Sequence, residues 1–329
     1  MSARRIGGRF QNPIATVSPG PRHIVRYLRE RDARPWRRVD AAPGPKPAER
    51  VDDLRVTFVG HATVLIQQDG LNVLTDPVWS ERASPVQLAG PRRMRPPGIR
   101  FEDLPPINLV LLSHDHYDHL DQGTMARLAS THRPRVLTGL GVARHLRHLD
   151  LAVEELDWWQ SVDLGGGRRA TFTPAQHFSG RTPFDRNTTL WGGLALSGPA
   201  GTTFFAGDTA KGPHFAEVRA RLGAPRVALL PIGAYLPSWF MSPVHVSPAE
   251  ALDAHHELGA TSSVAIHFGT FRLSDEGQDD PQDDLARALD LDAEARGARA
   301  DFRVRAEGVA WDVPRHAGAR DRESVRERA

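Results

Sequence analysis

One short stretch constrains this chain more than any other: residues 109–121, LVLLSHDHYDHLD. An apolar run of strand type, Leu109 to Leu112, delivers His114, Asp115, His116, Tyr117, Asp118 and His119 onto the loop that follows. Imidazoles at i and i+2, with a carboxylate and a third imidazole at i+4 and i+5, cannot all reach one metal ion without strain. They readily serve two adjacent ions, as a dinuclear hydrolytic site requires.

Three further donors stand where a predicted strand ends: His177 in ATFTPAQHFSGRT, Asp208 in TTFFAGDTAKG and His267 in SSVAIHFGTF. Residues just past strand ends are held by rigid elements yet stay accessible to a ligand. The donors divide evenly. One ion takes His114, His116 and His177; the second takes Asp118, His119 and His267; Asp208, with two oxygens, bridges them. Two ions about 3.5–4 Å apart share one hydroxide, available at neutral pH because bound water can fall to a pKa of about 7. With no Cys in the chain, every ligand is nitrogen or oxygen. That set points to Zn2+, two per chain, with Fe or Mn as alternatives.

The 329 residues, about 40% of them hydrophobic, suit a globular protein with an ample core. No window is long and apolar enough for a membrane span, and the N-terminus lacks the pattern of a secretory signal, so cytoplasmic residence is the expectation. Net charge is +2, yet the first fifty residues hold roughly eight more Arg and Lys than Asp and Glu. Residues 1–50, rich in Pro and Gly, read as a basic arm with one helix candidate at 24–31. Attraction to anionic headgroups at the inner face of a membrane is one reading of its charge, and Arg-rich composition is the other. A hydrolase domain then spans 51–315, and 316–329 is a charged tail. Strand-like runs fall at 55–59, 64–67, 71–74, 109–112, 135–138, 169–172, 190–196, 202–205, 227–231, 263–266 and 301–304. Helical patterns fall at 123–130, 141–149, 213–222, 248–258 and 283–295. This order predicts an α/β protein with two sheets packed face to face and helices outside.

The segment HDHYDH with downstream His177, Asp208 and His267 resembles the metallo-β-lactamase superfamily, whose fold is an αββα sandwich with two mixed sheets and a dinuclear site along one edge. FVGHATVLI, LTDPVWSERASPVQLAGPRR, ELDWW, LLPIGAYLPSWFM and HVSPAEA sharpen the likeness. With these, the chain resembles the N-acyl-phosphatidylethanolamine-hydrolysing phospholipase D family. The resemblance implies a zinc-dependent phosphodiesterase that releases phosphatidic acid and an N-acylethanolamine through a metal-bridging hydroxide, and a homodimer. It implies a catalytic role for Asp118 as a ligand and for His245 beside the site, donating to a phosphoryl oxygen or to the leaving alcohol. Tyr117 and Arg181 are candidates for substrate contact, and Asp76 and His61 for orienting the ligands. Departures bear on headgroup preference: Val244 stands where the family has Gln, and Leu236 and Ser238 stand where it has Glu and Arg. Lactone or ester hydrolysis is the alternative chemistry, and a lipid-binding protein is the non-enzyme alternative. Nucleic-acid processing is disfavoured because no insertion is long enough for an added clamp.

Overall fold

The computed structural model describes residues 2–16, 20–32 and 34–315; the predicted tail lies outside them. The chain begins with a small hairpin, β1 (Arg5–Ile6) and β2 (Arg9–Phe10), and a helix α1 (Pro21–Glu30). The first large sheet then forms from β3 (Leu54–Gly60), β4 (Thr63–Gln68), β5 (Leu71–Thr75), β6 (Leu109–Leu112), β7 (Arg135–Gly139) and β8 (Val153–Leu156). The second comprises β9 (Ser161–Gly165), β10 (Arg168–Thr173), β11 (Gly193–Gly198), β12 (Gly201–Phe205), β13 (Val227–Pro231), β14 (Ser262–Ile266) and β15 (Phe302–Arg303). The last strand, β16 (Ala310–Asp312), returns to pair with β3, so each sheet has seven strands.

Each sheet is antiparallel on one side and parallel on the other. Strands β5 to β8 pair in parallel, as do β12 to β15. Strand β6 shows how sequence sets the layers. Its side chains alternate: Leu109 and Leu111 enter the core shared with Phe172, Trp191 and Leu196 of the other sheet. Val110 and Leu112 face the opposite way and pack with Met125 and Leu128 of α2 (Gln122–Thr131). All four are buried, each contributing on the order of 1.5–3 kcal/mol relative to exposure. On the second sheet, α5 (Pro248–Leu258) lies against β13 and beside α3 (His214–Leu222) and α6 (Asp280–Arg296). A short turn of helix, α4 (Ser238–Met241), precedes α5. The architecture is αββα.

Local signals account for the boundaries. Ser247 and Glu250 form a reciprocal capping box with Pro248 at the first helical position, and α5 starts there. Where helix was expected over 141–149, only a 3-10 segment Val142–His145 forms, because Gly141 enters it with φ +87° and the Glu155 carboxylate fixes the Ala143 amide at 2.7 Å. The edge strands β8 and β9 escaped sequence reading because Glu154, Glu155 and Asp163 break their apolar pattern; charge is tolerated on a strand with one unpaired side.

The described residues before Val51 lie against the domain at several points. Phe10 is buried in the central core, Val39 and Gly44 pair through their amides with Met94 and Gly98, and Trp36 donates to the Glu276 carbonyl at 3.0 Å. None of the described helices is long and apolar enough to cross a membrane.

Candidate metal centre

Within each sheet the donor-bearing strands share one direction, β3, β5 and β6 in the first and β10, β12 and β14 in the second, and the loops at their C-terminal ends meet along one edge of the sandwich. His61 follows β3, Asp76 follows β5, the HDHYDH loop follows β6, His177 follows β10, Asp208 follows β12 and His267 follows β14. Strand carboxyl ends are the usual place for ligands in such sheets. Here they gather every donor named from sequence.

The donors fall into two adjoining groups, which the smaller sets Asp76–His114–His119 and His177–Asp208–His245 link together. His114, His116 and His177 form one, with His114 Nε2 at 2.8 Å and His177 Nε2 at 3.3 Å from His116 Nδ1. Asp118, His119, His267 and His61 form the other, with Asp118 Oδ2 at 3.3 Å from His119 Nε2 and 3.4 Å from His267 Nε2. Asp208 Oδ2 lies between the groups, 3.1 Å from His119 Nε2, 3.1 Å from His267 Nε2 and 3.8 Å from His177 Nε2.

These spacings test the fit to a cation. Tetrahedral bonds of about 2.0–2.1 Å put neighbouring ligand atoms about 3.3 Å apart, and most of the donor distances fall near that value. The hydrogen-bond accounting agrees. His119 Nε2, His267 Nε2 and Asp208 Oδ1 are buried and have no hydrogen-bond partner among the described residues. Orphaned buried polar atoms are costly, and a bound ion satisfies them. The residues fit two cations. Without an ion the cluster is strongly polarised: burial pushes the His267 imidazole down, but Asp208 and Asp118 outweigh it and raise it to about 9. Burial likewise pushes Asp208 up, and His119 and His267 outweigh it and hold the carboxyl well below its usual range.

Behind the donors stands a layer of orienting contacts. His119 Nδ1–H donates to Asp76 Oδ2 at 2.6 Å. His114 Nδ1–H donates to Ser113 Oγ at 2.9 Å, and that hydroxyl donates to Asp76 Oδ2 at 2.5 Å. One buried carboxylate thus turns two imidazoles so that their Nε2 atoms face the centre. His177 Nδ1–H donates to the Val244 carbonyl at 2.8 Å. That contact uses the backbone, so it survives the Val at this position. His61 Nε2 lies 2.9 Å from Asp118 Oδ2.

The backbone here is held in uncommon conformations. His61, Asp76 and His267 have φ of +57°, +31° and +61°. The His267 amide donates to the His61 carbonyl at 2.7 Å, and the His61 amide donates to Thr270 Oγ1 at 2.8 Å, which fixes both loops. Such conformations cost of order 1–3 kcal/mol each and persist where the surroundings over-determine them. Gly233 permits the close approach, since a Cβ there would stand 2.1 Å from the His267 carbonyl oxygen.

Tyr117 and Arg181 are joined to each other. The Tyr117 hydroxyl donates to the Arg181 carbonyl at 2.8 Å, and the guanidinium lies 4.0 Å above the Tyr117 ring. Arg181 Nη1 donates to the carbonyls of Asp115 and Leu120, at 2.8 and 2.9 Å. The guanidinium therefore clamps the ligand loop. His245 is buried beside the site, its ring centroid 5.0 Å from that of His177 and 5.5 Å from that of His267, and its Nδ1 has no partner among the described residues.

Several residues of the site had not been singled out from sequence. Asp115, inside the motif, accepts from Gly180 N and Thr189 Oγ1, each at 2.8 Å, and ties the ligand loop to the second sheet. Asn12 grips His177 from the N-terminal segment: its Oδ1 accepts from the His177 amide at 2.9 Å and its Nδ2 donates to the His177 carbonyl at 2.8 Å. Asp115 was legible as part of HDHYDH. Asn12 was not, because 165 residues separate it from its partner.

Donor atoms spaced for two cations along one edge of an αββα sandwich place the chain among the metal-dependent hydrolases of the metallo-β-lactamase fold. The sequence matches the family model described as Beta-lactamase superfamily domain over residues 71–268, and the chain belongs to that family. It is 37% identical over 250 residues to N-acyl-phosphatidylethanolamine-hydrolyzing phospholipase D 1 of Caenorhabditis elegans, covering 72% of this chain and 70% of that protein. A Mycobacterium tuberculosis protein described as uncharacterized is 41% identical over 243 residues, which is 72% of this chain but 64% of the relative's length. Among solved structures, the isothiocyanate hydrolase from Delia radicum gut bacteria shares the fold, with a TM-score of 0.61 at 19% identity over 78% of this chain and 98% of that one.

Proposed function

We propose that this protein is a di-zinc phosphodiesterase of phospholipase D type. It would cleave N-acyl-phosphatidylethanolamine-like phospholipids to phosphatidic acid and an N-acylethanolamine. The observation that carries the reading is the position of Asp208, whose Oδ2 lies 3.1 Å from His119 Nε2 and His267 Nε2 in one donor group and 3.8 Å from His177 Nε2 in the other. The name of the Caenorhabditis elegans relative supports the substrate class.

In this reading His114, His116 and His177 would hold one cation and Asp118, His119 and His267 the other, with Asp208 a donor available to both. Two such cations, when bound, supply Lewis acidity toward phosphoryl oxygens and an activated water at neutral pH. The protein's own groups do the rest. Asp76 and Ser113 fix the imidazole tautomers, and Val244 fixes that of His177. His245 is held low, to about 4, chiefly by burial, so it is neutral at pH 7. A neutral imidazole here donates a hydrogen bond to a phosphoryl or leaving oxygen without adding charge.

The substrate would be met at a lipid surface. Helix α1 leaves Ile24, Val25 and Leu28 exposed among Arg22, Arg26 and Arg29. Tyr27 stacks on Phe240 of α4 at 4.5 Å, and the Met241 carbonyl of the same helix accepts from the His245 amide. An apolar face rimmed by cations suits the interface of an anionic membrane.

The decisive experiment offers metal-loaded protein N-acyl-phosphatidylethanolamine, plain phosphatidylethanolamine, a generic phosphodiester, a lactone and a β-lactam. Release of N-acylethanolamine from the first is expected. Turnover of the lactone alone would reject the phospholipase reading in favour of ester hydrolysis.

A further inference from the structure

A cavity of about 540 Å³ borders His177 and Val244, outside the donor set. Parts of the chain remote in sequence build it: the N-terminal segment, the turn carrying Trp158 and Trp159, the loop 178–187 and one side of α3 from Pro213 to Arg221. Three guanidinium groups, those of Arg4, Arg186 and Arg221, stand in its wall against the single carboxylate of Glu217. Among the described residues none of the three forms an ion pair. Arg186 Nε is fully buried and has no hydrogen-bond partner among them. Arg186 as a whole is half-buried, and a buried N–H with no acceptor is a costly group that a bound anion would satisfy.

Trp158, Trp159 and Phe178 supply aromatic surface to the wall, which is otherwise mixed polar and apolar. Arg186 lies 4.0 Å above the Phe178 ring and Arg221 lies 4.3 Å above Trp159. Trp159 has φ +68°, a conformation that a bulky residue adopts only under constraint. A constrained Trp159 beneath Arg221 and a buried Arg186 Nε without a partner mark this wall as a built site.

We propose that this cavity binds an amphiphilic organic anion, a carboxylate or phosphate monoester carried on an apolar body. The head is held by Arg186 and Arg221, and the body lies against Trp158 and Trp159. The site bears directly on the metal centre. Phe178, beneath Arg186, sits with its ring centroid 4.5 Å from that of His116 and 4.8 Å from that of His177. Asn12, which grips the His177 backbone, lines the same cavity.

Calorimetric titration of the full-length, metal-loaded protein tests this with three probes: octyl phosphate, octanoate and inorganic phosphate. At least one of the two amphiphiles is expected to bind, and to lose affinity about tenfold or more in both Arg186→Gln and Arg221→Gln, since charge-assisted hydrogen bonds are among the stronger polar contacts. The ratio between them identifies the source, a phosphorylated lipid or a free fatty acid. Inorganic phosphate, which reports anion binding at the metal ions, is expected to keep its affinity in both variants. Absence of amphiphile binding, unchanged affinity in the variants, or a parallel loss for inorganic phosphate would overturn the proposal. Arg221 is exposed, so its variant tests the site without disturbing the core. The measurement needs no turnover, so it stands apart from the phosphodiesterase reading.

Discussion

Asp76 Oδ2 lies 2.6 Å from Nδ1 of His119 and 2.5 Å from Oγ of Ser113, whose hydroxyl in turn receives the Nδ1–H of His114. A single buried carboxylate therefore sets the tautomer of one imidazole in each donor group. Replacing Asp76 by Ala leaves both rings free to turn. Metal affinity is expected to fall about 10- to 100-fold at both sites, the usual range for loss of an orienting partner. Competition against a chromophoric chelator measures it, and an unchanged affinity would remove Asp76 from this role.

Asp208 joins the groups through one oxygen. Asp208→Asn keeps the shape but loses the charge, and it is expected to give up at least one ion and nearly all activity. Metal analysis of the purified variant decides the point. Full occupancy of both sites would count against bridging.

His245 has a ring nitrogen within 4.8 Å of donor atoms of His177 and Asp208, and its Nδ1 has no hydrogen-bond partner among the described residues. His245→Ala should keep both ions while kcat falls by about 10²-fold or more, the scale for removing one hydrogen-bond donor to developing charge. Loss of metal in this variant would instead make His245 a structural part of the centre.

Asn12 ties the N-terminal segment to a metal ligand. In Asn12→Ala the His177 amide and carbonyl lose their partners, and the Trp191 indole loses one of two acceptors. The ion held by His114, His116 and His177 is expected to exchange about tenfold faster, while the second ion is unaffected. Equal exchange at both sites would show that the segment acts on the fold as a whole.

Far from the centre, Arg226 binds both Asp53 oxygens, Nη1 to Oδ1 at 2.5 Å and Nη2 to Oδ2 at 3.1 Å. It also reaches the carbonyls of Ala200 and Pro314, at 2.7 and 3.0 Å, and so joins the two sheets. The Arg226 hydrogen bonds hold the Asp53 carboxyl below its ordinary value of 3.8. A carboxyl whose pKa is lower in the folded state stabilises the fold above its unfolded pKa, and the contribution is lost as pH falls through the folded value. Asp53→Asn is expected to cost about 1–3 kcal/mol at pH 7, because Arg226 is left buried with a weaker partner. The gap in Tm between wild type and variant should close as pH drops below about 4. A gap that persists at lower pH would deny the ion pair its role.

Much of this protein could be read from its residues because the decisive signals are local. The β6 run LVLL, the capping box at Ser247 and the spacing of HDHYDH each depend on a few neighbours in the chain. The two-layer architecture followed from the order of strands and helices. What escaped reading was of another kind: Asn12 on His177, Arg181 folded back onto the carbonyls of Asp115 and Leu120, and the charged edge strands β8 and β9. These depend on partners tens to hundreds of residues away, or on which strand a sheet leaves at its margin.

The linear chain by itself determined which groups could bind cations and in what order they arrive, because ligand chemistry belongs to side-chain type and spacing. Only the tertiary structure decided that strands of common direction bring those groups to one edge. Only it decided that Asp208 falls between the two donor groups and that three guanidiniums gather on one cavity with Trp158, Trp159 and Phe178. The physical reason is that hydrophobic burial of the strands is non-directional, whereas strand direction, loop path and close backbone approach emerge only when both sheets pack together.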